Sequence, residues 1–132
     1  MKLKSLLEIN AVIALIYGIG ELLFPETMSS IYGVTHSPGV GLMCQFFGLT
    51  LIFMGLFTWF ARNVTDILAR RAIILALLIS HIIGVIVSVI GTVSGLMSAF
   101  GWSAVVIYSL LALGYLYLLL KEKTVLSPVS EA

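Results

Sequence analysis

Apolar and polar positions alternate along this chain in long blocks. Residues 40–61, 72–95 and 100–120 contain no Asp, Glu, Lys or Arg, and the middle block holds one histidine, His81. A helix crosses the ~30 Å hydrocarbon layer of a bilayer with about 20 mostly apolar residues. Each block is therefore predicted to be a transmembrane helix. A first block, residues 5–24, is weaker, because Glu8 and Glu21 leave only Ile9 to Gly20 uncharged. That centre alone has the length of a signal-peptide core. Glu8 and Asn10 are wrong for the start of such a core, and no A-x-A site follows, so a retained span is expected.

The connections are short and punctuated. Pro25 suits the first turn of a short helix, where its missing N–H would be unpaired anyway. Met28, Ile31 and Tyr32 share one side of that helix, and Gly33 can end it in a left-handed conformation. Residues 25–33 are read as a helical turn on the outer membrane surface. Ser37-Pro38-Gly39 is read as a turn before the second span. Trp59 and Trp102 fall near span ends, where interfacial tryptophan is common. Thr124 to Ala132 is expected to be a short, frayed tail.

Composition agrees with lipid as the solvent. Of 132 residues, 61% are hydrophobic and 10% charged, with a mean hydropathy of +1.18. Soluble domains carry about 25% charged residues. The expected architecture is one all-α domain over residues 1–132, an antiparallel bundle of four transmembrane helices. Its helices would span about 5–24, 40–61, 72–95 and 100–120, with a short interfacial helix between the first two.

Charge then gives direction. Lys2 and Lys4 precede the first span, Arg62, Arg70 and Arg71 lie between the second and third, and Lys121 and Lys123 follow the fourth. Four antiparallel spans put all seven on one side, which the positive-inside rule makes cytoplasmic. Both termini would then be cytoplasmic. Glu8 is expected to meet Lys4 or a nearby arginine, and Asp66 to form a solvated pairing between Arg62 and Arg70.

Helix association in lipid depends on close contact between small residues. Gly41, Gly48 and Gly55 recur every seven residues, the spacing of a left-handed seam. Ala72, Ala76, Ser80, Gly84, Ser88 and Thr92 form a ladder at every fourth position. Ala14 and Gly18 mark the first span, and Ala112 lies between Tyr108 and Tyr115 on the fourth. These faces suit internal packing, and one seam on span two or three would alternatively bind another subunit or a second copy.

Candidate chemistry is sparse. Cys44 is the only cysteine, so no internal disulfide or Cys-Cys metal motif exists, and it is read as a small packing residue. No phosphate loop, paired-His motif or nucleophile elbow appears, and no basic-aromatic stripe suggests nucleic acid. Glu21 follows Ala14 and Gly18 on the inward face. Gln45 enters span two from the same side at similar depth, so a hydrogen bond between Glu21 and Gln45 is expected. With every Lys and Arg at the far end, Glu21 would be a neutral structural group, or one that carries a proton or binds a ligand. His81, near mid-bilayer beside Ser80, is expected to be neutral. Glu21, Gln45 and His81 together would line a small polar pocket open to the outside.

The segments LKSLLEINAVIALIYGIG, LFPETMSSIYGV, FFGLTLIFMGLFTWFAR and ARRAIILALLISHIIG, with a last helix opening near GWS, carry a resemblance over about residues 3–120. The chain resembles small four-helix prokaryotic integral membrane proteins of unknown function, and more distantly DoxX-type proteins. The resemblance implies four helices in a cytoplasmic membrane. It implies no activity and no catalytic residues.

Two functions follow. One is a non-enzymatic accessory or scaffolding subunit, or a small homo-oligomer, built on abundant packing surface. The other is a binder or carrier of a small apolar or protonatable ligand, such as a quinone or lipid, using Glu21, Gln45 and His81. An enzyme is not expected, since no nucleophile–base pair or metal set can be assembled.

Overall fold

Local capping signals set where the helices begin. The Ser37 hydroxyl accepts a bond from the Val40 N–H at 3.2 Å, and Pro38 occupies the first turn that follows. The Asp66 carboxylate likewise accepts from the Ala69 N–H at 2.7 Å. Gly33 has φ +76°, the left-handed geometry that ends the short helix before it.

The computed structural model describes residues 2–126, which form five helices. They are α1 (Leu3–Leu23), α2 (Pro25–Ile31), α3 (Pro38–Ala61), α4 (Ile67–Val93) and α5 (Gly101–Leu126). No strand occurs among the described residues. Helices α1, α3 and α4 contain 21, 24 and 27 residues, and α5 contributes a 22-residue stretch to Glu122; all four are long and apolar enough to cross a membrane. The chain is a multi-pass, all-α membrane protein.

Two span starts move outward from their expected places. Helix α3 begins at Pro38 because Ser37 caps it, so Ser37-Pro38-Gly39 is not a free turn. Helix α4 begins at Ile67 because Asp66 caps it. Asp66 therefore acts as a helix cap rather than as the arginine partner expected of it. The tail expected over 124–132 is helical as far as Leu126, and its remainder lies outside the described residues.

Ion pairs fix which ends meet. Arg62 Nε lies 3.5 Å from Glu8, joining the end of α3 to the start of α1. Arg70 donates from Nε and a terminal guanidinium nitrogen to Glu122 Oε1 at 3.0 and 2.8 Å, joining the start of α4 to the end of α5. Lys2, Lys4, Arg62, Arg70, Arg71 and Lys121 thus gather at one end, the basic end. Arg62 also stacks on Trp59, 3.9 Å from the ring centroid.

The helices associate as two close pairs. Helix α1 lies along α3 and α4 along α5, while the pairs meet each other through α1 and α5. In the first pair the backbones touch at Gly18 and Gly48. A Cβ at Gly48 would lie 2.7 Å from the Gly18 carbonyl oxygen. Gly55 takes the Leu15 side chain, and Gly41 takes the His36 ring. The glycine seam is therefore spent inside the chain. In the second pair the Tyr108 ring lies on Gly84. Farther along the ladder Ser88 is buried and Thr92 lies against Gly101, but its first half does not pack as expected. Ala72, Ala76 and Ser80 are exposed, and α4 instead buries Ile74, Leu77 and Leu78.

These large residues belong to a core near the basic end, with Leu3, Leu6 and Leu7 from α1 and Leu111, Tyr115, Leu118 and Leu119 from α5. That half of the bundle is filled. The other half is hollow.

Candidate functional site

The hollow is a cavity of about 540 Å³ between the helix pairs. This lies within the ~300–1,000 Å³ range of small-molecule pockets. Its wall is mainly apolar, with Ile13, Phe47, Leu51, Met54, Ile83, Val87 and Ile107 among the lining residues.

Its floor is a buried polar contact. Asn10 Nδ2 donates to the Tyr115 hydroxyl at 3.0 Å, linking α1 to α5. The His81 ring leans on Tyr115 at a centroid distance of 5.4 Å and meets Tyr108 edge-on at 5.8 Å. His81 Nδ1 donates to the Leu77 carbonyl oxygen, its acceptor one turn back. A neutral imidazole carries one N–H, so Nε2 is left as an acceptor.

The roof is α2 tied to the α4–α5 connection. Ser98 donates its backbone N–H to the Tyr32 carbonyl at 2.7 Å and its hydroxyl to the Ile31 carbonyl at 2.8 Å. The Tyr32 ring meets Phe100 edge-on at 5.3 Å. Under this roof Ser29 Oγ donates to the Glu26 carbonyl at 3.0 Å and lies 3.3 Å from His36 Nδ1.

Glu21 enters from the last turn of α1. Only 4% of the residue is exposed, and Oε2 is buried without a hydrogen-bond partner among the described residues. The Cys44 thiol faces the carboxyl group from α3. Tyr32 is close enough to Glu21, Tyr17 and Tyr108 to feel their charge. Burial, then those neighbours, pushes the Tyr32 hydroxyl above the ordinary phenol value, so it stays a neutral donor. Among the described residues, no lysine or arginine lines the cavity.

The expected trio is brought together only in part. Glu21 and His81 line the same cavity, on α1 and α4. Gln45 does not. It is exposed outside the cavity, beside the α1–α3 contact, where Nε2 donates to the Leu22 carbonyl oxygen at 3.5 Å. Residue 44, rather than 45, turns toward Glu21. One position on a helix is a rotation of about 100°, enough to move a side chain to another face. Cys44 is accordingly a wall residue of the cavity as well as a packing residue.

Sequence reasoning did not single out Asn10, Tyr17 and Tyr32 for the site. Tyr17 precedes Glu21 by one turn, a spacing that places both on one face. The spacing of Tyr108 and Tyr115 was legible, and both reach the cavity region. No protein family, curated protein or solved structure matches the chain.

Proposed function

We propose that this protein binds or carries a small, mainly apolar molecule with a polar or protonatable group, a class that includes quinones and lipids. The observation that supports it is the 540 Å³ cavity, apolar over most of its wall and lined by Glu21, His81 and tyrosine phenols. A scaffold needs no such space, and packed membrane helices gain contacts by closing it. The reading is one of binding without catalysis. The accessory-subunit or homo-oligomer reading draws on abundant packing surface, of which the glycine seam is one part. Gly41, Gly48 and Gly55 instead meet His36, α1 and Leu15 within the chain.

We extend the proposal to direction. The basic end is cytoplasmic by the positive-inside rule, which puts both termini inside and the cavity in the outer half of the membrane. The resemblance to small four-helix prokaryotic membrane proteins points to the prokaryotic cytoplasmic membrane.

The test is to purify the full chain in mild detergent, record its intact mass under native conditions, and extract any bound molecule. One small organic molecule per chain is expected. Ala104→Phe, which places a ring in the cavity, should abolish that mass while the helical circular dichroism remains. An unliganded chain that also fails to take up an apolar fluorescent probe would count against the proposal.

A further inference from the structure

We propose that the preferred ligand is a lipophilic organic cation, its apolar body filling the cavity and its positive charge held between the Glu21 carboxylate and the Tyr17, Tyr32 and Tyr108 rings. This rests on the cavity reading above and narrows its ligand class.

The argument begins with charge. Glu21 is buried, borders the cavity, and has an oxygen without a partner among the described residues. A buried charge is tolerated when it is paired. Among the described residues the chain provides no pair, because Arg62 and Arg70 are engaged at the basic end with Glu8 and Glu122, and no lysine or arginine lines the cavity. Unliganded, the carboxyl group stays neutral by keeping its proton, and its charged form takes its counter-charge from the ligand. By the same reasoning an anionic ligand is excluded, since it would meet a carboxyl group and no cation.

Aromatic chemistry gives the second line. Tyr17, Tyr32 and Tyr108 line the cavity from α1, from just after α2 and from α5. A ring face attracts a cation within about 6 Å, and the attraction grows when water is excluded. A carboxylate with several tyrosines in an apolar wall suits an ammonium or phosphonium centre with hydrocarbon substituents. His81 fits the same class, because its free Nε2 accepts and can take an N–H of a protonated amine.

The titratable groups bordering the cavity with Glu21 are Tyr17 on α1, Tyr32 after α2, Cys44 on α3, His81 on α4 and Tyr108 on α5. None is a strong base, so protons and cations compete for one carboxyl group. A permanently charged ligand binds the carboxylate as the acid gives its proton to water, one H⁺ for one cation. Uptake should therefore weaken as pH falls.

The test uses the full purified chain in neutral detergent, with tetraphenylphosphonium as the cationic probe and triphenylphosphine oxide as the neutral one. Expected are saturable phosphonium binding at one per chain, a clear preference for the cation, and weaker binding at acid pH. Glu21→Gln should lower phosphonium affinity roughly 10- to 100-fold, whereas Glu8→Gln, the same change at the basic end, should leave it unaltered. The comparison of probes and of pH is made on the unaltered chain and needs no variant. Equal binding of both probes, unaffected by pH, overturns the cation inference and leaves the cavity reading intact. Binding of neither probe overturns both.

Discussion

Gly18 and Gly48 touch backbone to backbone, and a Cβ at residue 48 would stand 2.7 Å from the Gly18 carbonyl oxygen and 2.8 Å from the Leu22 nitrogen. Neither neighbour is a flexible side-chain tip, so α1 and α3 would have to part. Gly48→Ala is expected to cost about 1–3 kcal/mol, the range for overpacking a filled contact. Gly39→Ala, whose Cβ meets only Ser37 Oγ at 4.0 Å, should be neutral or slightly stabilising. Thermal unfolding of both variants in detergent gives the comparison.

The Asn10–Tyr115 bond is expected to be the main polar link between the helix pairs. A double-mutant cycle with Asn10→Ala and Tyr115→Phe should give a coupling of about 0.6–1.7 kcal/mol, the range found for interhelical bonds in membranes. A coupling near zero would mean that the pairs are held by the apolar core around Leu7, Ile74 and Leu118 and by the Ser98 contacts of the roof.

Span number and direction can be read by chemical labelling. In a Cys44→Ala background, Thr35→Cys and Thr65→Cys place single thiols in the α2–α3 and α3–α4 connections. An impermeant maleimide added to intact cells should label residue 35 and not residue 65 until the membrane is opened. Labelling of both from one side would contradict four spans.

Tyr32 sets a limit at high pH. Its hydroxyl is raised by burial and by Tyr17, Glu21 and Tyr108, so the folded chain holds this proton more tightly than the unfolded one. The resulting stability is fully present below the ordinary phenol value of about 10 and is lost as pH rises above it. Phenolate absorbance assigned by difference from Tyr32→Phe should appear at higher pH than in the denatured chain. The same variant should unfold at a more alkaline midpoint. An ordinary titration of Tyr32 would show that the roof over the cavity is open to water.

Much of the bundle is legible because run length and charge placement are local properties. The spans follow from uncharged blocks, and their common basic end follows from the seven cations. The inward direction of Glu21 follows from Ala14 and Gly18 on its face. Ser37 and Asp66 were readable as caps, yet a hydropathy reading passes over them, and two helices start early as a result. Gln45 shows the limit of face arguments. It lies between Gly41 and Gly48 in sequence, but Cys44, one turn before Gly48, shares the face that turns toward Glu21. The cavity was legible only as a loose polar pocket. It depends on α1 pairing with α3 and α4 with α5, and on a contact between residues 105 positions apart, which no local pattern encodes.

The pairing has a consequence for biosynthesis. Helices α1 and α3 find their closest partners in each other and leave the ribosome before α4 is made. Domains and subdomains tend to assemble in the order of synthesis. The amino-terminal half thus enters the bilayer as a finished wall, and the carboxy-terminal hairpin docks on it later. A gene cut at the 62–66 connection should yield two fragments that recombine when co-expressed, whereas a cut inside either couple should not.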